Sequence, residues 1–191
     1  DVERSRGLGD VYKRQLFTTE RYGMRAHASW GSLDDAMLVF LNQDAYDKFS
    51  LSKEDYELYK EANSDRKKVA AKDSSKVKDV VVELKNIEDR IVRLTPNSSN
   101  MGSTLISKDG KALYYLASTE SGRNLWKMDL NKKETKLLHK VDAGWTSLEM
   151  DKEGKTLFIL NGKNMQKMNL ASDDLKPIKY LACLLYTSPS P

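Results

Sequence analysis

Four stretches of this sequence carry side chains of the kind that bind ions or move protons. Two acid–glycine pairs, Asp109-Gly110 and Glu153-Gly154, have the look of calcium loops. A calcium loop needs several more oxygen ligands at alternating positions and a closing glutamate. Lysines flank both pairs instead, so both read as tight turns. Arg21, Arg25 and His27 lie close together in sequence and could hold an anion, although a solvated loop accounts for them. Glu88-Asp89-Arg90 supplies an acid and an electrophile, but reads as an ion pair at the start of a strand. The two histidines, His27 and His139, are far apart with no cysteine near either, where a zinc site needs more ligands at closer spacing. No serine sits in a Gly-x-Ser-x-Gly elbow. No glycine-rich loop opens a helix to cradle phosphate, and no catalytic triad is evident. No catalytic, cofactor-binding or metal-ligating residue is therefore assigned, and no cofactor is expected.

Composition narrows the field further. The 191 residues are 31% charged and 39% apolar, with a net charge of +4. That balance suits strands and turns with a polar surface. Lysines are scattered among acids, without a basic stripe interleaved with aromatics, so neither nucleic acid nor a membrane is an expected partner. No apolar run is long enough to span a bilayer.

Beneath these residues lies a repeat. Ser107-Lys-Asp-Gly-Lys-Ala-Leu-Tyr-Tyr-Leu116 returns as Asp151-Lys-Glu-Gly-Lys-Thr-Leu-Phe-Ile-Leu160, 44 residues on. Asn124-Leu-Trp-Lys-Met-Asp-Leu130 returns as Asn164-Met-Gln-Lys-Met-Asn-Leu170, 40 residues on. A period of about 40–45 residues made of short strands is that of a β-propeller blade. The first complete copy predicts strands at Thr104–Ile106, Ala112–Ala117, Leu125–Leu130 and Glu134–Val141. Ser118–Arg123 is a loop, and Trp126, Met128 and Leu130 share one face. On the outer strand Leu137, His139 and Val141 alternate with Lys136, Leu138 and Lys140. The second copy predicts Ser147–Met150, Thr156–Leu160, Asn164–Leu170 and Leu175–Leu181. A tight hairpin at Asn161-Gly-Lys163 accounts for its four missing residues. Pro177 falls in the outer strand, an edge that tolerates it. Gly110 supplies the positive φ of the first turn.

Upstream, Leu16–Thr19 and Asp35–Leu41 read as strands joined by a polar loop, the second and third strands of a blade whose first strand is missing. Asn42 caps a short helix over Gln43–Phe49, with Ala45, Tyr46 and Phe49 on one face. Ser52 caps a second over Lys53–Ala62, with Asp55 at the capping-box position, Leu51 and Tyr56 as a staple, and Leu58 and Tyr59 as a small apolar face. Asn63–Lys78 is low in complexity and has almost nothing to bury, as in a mobile insertion. Asp79–Leu84 and Ile91–Thr95 read as strands. The expected fold is all-β: a partial β-propeller of four-stranded antiparallel blades with a short helical and disordered insertion. The divisions are 16–95 (a partial blade, with the insertion at about 42–79), 96–142 and 143–182 (complete blades).

The ends stand apart. Asp10-Val-Tyr-Lys-Arg-Gln15 and Cys183-Leu-Leu-Tyr-Thr-Ser188 are consistent with one inverted nucleotide element read in two frames, as a translated sequencing adapter would be. Residues 1–15 and 183–191 are accordingly set aside from fold reasoning. Cys183 is the sole cysteine, which rules out an intrachain disulfide.

Ser107-Lys-Asp-Gly-Lys-Ala-Leu113 resembles the Ser-Pro-Asp-Gly-Lys-x-Leu signature of propellers that accompany peptidases and of periplasmic binding propellers. Met24-Arg-Ala-His-Ala-Ser-Trp30, Tyr46-Asp-Lys-Phe-Ser-Leu-Ser-Lys-Glu-Asp-Tyr56, Ile87-Glu-Asp-Arg-Ile-Val-Arg-Leu-Thr95 and Leu113-Tyr-Tyr-Leu116 together resemble bacterial tricorn-type proteases, over nearly all of Leu16–Ala182. The resemblance implies a large, self-compartmentalising, oligomeric serine peptidase, cytoplasmic or periplasmic. Its propellers route peptide or unfolded-protein substrates to peptidase and PDZ domains elsewhere in the same chain. None of that family's catalytic positions matches a residue here. The alternatives are a stand-alone propeller that binds a protein partner, and the propeller cap of a prolyl-oligopeptidase-like enzyme.

Overall fold

The structure is a computed structural model that describes residues 13–25, 31–62, 81–119, 122–141, 146–162 and 164–179. It is mostly β, built from antiparallel sheets, with two short helices. Three strands, β1 (Arg14–Thr19), β2 (Asp35–Phe40) and β3 (Ile91–Arg93), form the first sheet in chain order. Arg14 and Gln15, set aside on sequence grounds, open β1. Two four-stranded meanders follow. One holds β4 (Met101–Ile106), β5 (Ala112–Thr119), β6 (Gly122–Asp129) and β7 (Glu134–Lys140). The other holds β8 (Thr146–Met150), β9 (Thr156–Asn161), β10 (Asn164–Asn169) and β11 (Asp174–Ile178). These are blades, and their neighbours are consecutive in sequence, as a propeller meander requires.

The repeat is visible in the backbone. Gly110 and Gly154, 44 residues apart, take φ +69° and +74°. Lys133 and Asp173, 40 residues apart, take +58° and +56°. Gly110 N donates to Ser107 O at 2.8 Å and Gly154 N to Asp151 O at 3.1 Å. In the outer turns, Lys133 N donates to Asp129 O and Asp173 N to Asn169 O, each at 2.8 Å.

Three expectations need correcting. The four-residue difference between copies does not lie in a loop. Thr119 pairs with Gly122 and Asn161 with Asn164, so both hairpins have two-residue connections. The difference is two residues in each strand: β5 and β6 have eight residues, β9 and β10 six. Secondly, β7 does not alternate strictly. A register shift sets His139 opposite Leu125 but Leu137 opposite Trp126, so the two face different blades. Thirdly, residues 81–84 are not a strand; Asp79 and Val80 lie outside the described residues. Both edges of β2 are taken, by β1 and β3. The Val-rich run joins no sheet among the described residues, and Val81, Val82 and Leu84 are exposed. It is tied down by Glu83 N donating to Leu41 O at 2.8 Å and by Arg90, whose guanidinium donates to the carbonyls of Phe40, Glu83, Lys85 and Asn86.

Helix α1 (Gln43–Ser50) and helix α2 (Lys53–Ala62) lie between β2 and β3. Asn42 Oδ1 accepts from Ala45 N at 3.0 Å, and Ser52 Oγ from Asp55 N at 3.1 Å, as the two caps predict. Tyr46 and Phe49 pack their rings on Phe40, with centroids 5.8 and 4.9 Å away. The apolar face expected of α2 is not buried: Leu58 and Tyr59 are exposed.

The core consists of two interblade layers. Leu38, Phe40, Leu94, Ile106, Leu113 and Tyr115 fill the first, between the first and second blades. Leu105, Tyr114, Leu116, Leu125, Leu148, Leu157, Ile159 and Met168 fill the second, between the second and third. Because side chains alternate across each strand, Leu113 and Tyr115 serve one layer while Tyr114 and Leu116 serve the other.

Candidate interblade clefts

Where the apolar layers end, each pair of blades leaves a cleft beside its turns. The larger, of about 650 Å³, lies between the first and second blades. The helical insertion supplies Asp44, Lys48, Phe49, Tyr56 and Tyr59; the strand and loop side supplies Phe40 and Glu83, and the turn of the second blade Asp109 and Lys111. Lys48 Nζ lies 5.4 Å from the centre of the Tyr59 ring and Lys133 Nζ 5.7 Å from that of Phe49. The wall thus combines aromatic faces with charges of both signs.

The second cleft, of about 520 Å³, lies between the second and third blades, beside Tyr114, Lys127, Asp129 and Glu153. Here Lys127 joins the two blades. Its Nζ sits 5.7 Å from the Tyr114 ring centre and 3.4 Å from Asp173 Oδ1, in the β10–β11 turn. Burial lifts the Tyr114 hydroxyl above its ordinary range, against the opposing charge of Lys127. Burial pulls Lys127 down, but Tyr114 and Asp173 outweigh it and hold the ammonium above its usual value. Both groups keep their protons near neutrality, so the pair braces the blades and is not set up for acid–base work. His139 adds a link, its Nε2 lying 2.7 Å from the carbonyl of Asp173.

The residues singled out in the sequence do not converge. Asp109 belongs to its own turn: its Oδ1 accepts from Ser107 Oγ at 2.6 Å and from Lys111 N at 3.1 Å. Glu153 Oε2 accepts from Lys155 Nζ at 2.7 Å. Arg21 lies over Tyr22, and Arg25 bridges to Ser32; His27 lies outside the described residues. Arg90, expected to pair with Glu88 or Asp89, is instead buried among the carbonyls that fix residues 83–86. Among the described residues, no group of three or more His, Cys, Asp or Glu is placed to hold a metal ion.

The most enclosed charged side chain among the described residues, Asp35, was not foreseen. Asp35 is fully buried, and its two oxygens accept from Arg93, Thr95 and Ser98 at 2.8–3.0 Å. These donors lie 58 to 63 residues further along the chain, and no local pattern connects them. The lysine–aromatic brace was within reach, since Tyr114 and Phe158, like Lys127 and Lys167, stand at the repeat offsets.

No protein-family profile matches the sequence, and none of the curated proteins is similar to it in sequence. The fold, by contrast, is shared. TolB from Acinetobacter baumannii superimposes with a TM-score of 0.50 at 12% identity, over 88% of this chain and 30% of that one. The tricorn protease gives a TM-score of 0.48 at 9% identity, over 87% of this chain and 16% of that one. Oligogalacturonate lyase from Vibrio parahaemolyticus gives 0.36 at 18% identity, over 44% and 24%. The chain is thus a β-propeller-like segment that spans less than a third of each of these structures.

Proposed function

We propose that the chain is a non-catalytic propeller segment of a tricorn-like serine peptidase and that it guides or filters peptides for hydrolysis elsewhere in the protein. What supports this reading is the aromatic and mixed-charge cleft between the first two blades, together with the sequence motifs that resemble tricorn-type proteases. The cleft offers selection by shape and polarity. Phe49 and Tyr56 are surfaces for apolar side chains, and Lys48, Asp44 and Glu83 are anchors for polar ones. The peptidase and PDZ domains belong, on this reading, to the same full-length polypeptide, which assembles as a homo-oligomer.

The direct test is fluorescence anisotropy with labelled, unstructured peptides rich in aromatic residues. The expected result is saturable binding that weakens roughly tenfold in Phe49→Ala, equivalent to about 1.4 kcal/mol, and less in Lys48→Ala. Equal binding by wild type and both variants would remove the cleft from consideration. The alternative, a stand-alone protein-binding propeller, makes use of the same cleft. A full-length gene product with no peptidase activity towards these peptides would favour it.

A further inference from the structure

We propose that the outward face of the third blade is a docking surface for one further four-stranded blade, and that Lys167 selects that blade through an acidic residue in its last hairpin turn. The interface between the second and third blades shows what such a face does when covered. Leu116 and Leu125 are fully buried there and Tyr114 nearly so. Lys127, on the same face, crosses the Tyr114 ring to reach Asp173 in the outer turn of the next blade. Lys108 Nζ donates to Lys152 O in that blade's first turn.

The third blade carries the same arrangement one repeat on. Leu160 and Phe158 stand 44 residues after Leu116 and Tyr114, and Met165 and Lys167 stand 40 after Leu125 and Lys127. The cross-strand register is conserved between the copies. Leu160 pairs with Met165 and Phe158 with Lys167, as Leu116 pairs with Leu125 and Tyr114 with Lys127. Opposed residues share a face, so these four side chains form one patch. Leu160 is 41% exposed, whereas its counterpart Leu116 is 0%.

Charge chooses the occupant. Lys167 lies opposite Lys176, and both are exposed. Two copies of the face laid together would bring these lysines into repulsion, which disfavours pairing of the face with itself. An acid in the incoming hairpin meets Lys167 as Asp173 meets Lys127. The occupant is therefore a blade with an apolar inner face and an acidic last turn.

The test uses the full chain as Leu160→Cys in a Cys183→Ser background, with and without a second copy of residues 143–182 appended after position 182. The rate of thiol alkylation is the readout. The expected result is at least tenfold slower alkylation in the extended chain, with the fast rate restored when the aspartate of the appended copy that corresponds to Asp173 is replaced by lysine. Equal rates with and without the added blade would overturn the proposal, as would protection indifferent to that charge. Self-association of the unextended chain that Leu160→Lys abolishes would assign the face to a second copy and overturn it too. If the extended chain does not fold, the selection is read at the interface already present. Lys127→Glu and Asp173→Lys should each lower the urea midpoint and the double variant restore it; additive losses would count against selection by charge and overturn the proposal.

Discussion

Single residues bear unequal loads in this molecule. Gly154 combines a left-handed backbone with a close neighbour, since an added Cβ would come within 2.7 Å of Lys108 Cβ. Gly154→Ala should cost about 1–2 kcal/mol, read as a lower urea midpoint with an unchanged slope. Asp35 is more demanding. Removing the carboxylate leaves Arg93, Thr95 and Ser98 without their shared acceptor. Asp35→Ala should destabilise by about 3 kcal/mol or more in the same experiment. Asp109 reports on pH. Burial raises its carboxyl, but the hydrogen bonds from Ser107 and Lys111 and the charge of Lys111 outweigh this and hold it below the usual value. A depressed folded-state value means that the stabilisation is present above the unfolded value and is lost as pH falls through the folded one. Wild type should therefore lose stability below about pH 4 more steeply than Asp109→Asn, as measured by denaturation at stepped pH.

Elements show where local signals suffice. Both helices begin at the caps that sequence predicts, because an Asx or Ser side chain needs only residues three positions away. Asn42→Ala should cost about 1 kcal/mol and reduce the helical circular-dichroism signal. The turns at Gly110 and Gly154 are legible for the same reason. Residues 81–84 were not: three β-branched and apolar side chains promise a strand, but a strand also needs a paired neighbour, and these residues join no sheet. The location of the four-residue difference was likewise hidden. Sequence shows that residues are missing between two matched segments; only pairing shows that the strands are shorter and the hairpins alike. The aromatic cleft was half legible. Tyr46 and Phe49 were placed on one helical face, but their meeting with Phe40 depends on how the helix folds back on β2, and the place of Phe49 beside the turn of the second blade on how the blades stack.

At the scale of the whole molecule, each blade buries its faces against its neighbours, so a blade with an open side is poorly stabilised. The three sheets among the described residues fall short of the roughly four to eight blades that close a propeller. The isolated chain should therefore be only marginally stable. A monomeric sample with a cooperative melt well above room temperature would contradict this.

Periodicity, turn chemistry and helix caps are written in the chain because they depend on residues within a few positions of one another. The repeat of about 40–45 residues was therefore enough to identify the two four-stranded antiparallel units. Which blade each strand face serves, where Asp35 finds its donors and which lysine braces which turn were settled only by the tertiary structure. Those contacts join residues separated by dozens of positions, and a one-residue shift in pairing, such as that between Leu125 and Trp126, reassigns a side chain to the opposite face.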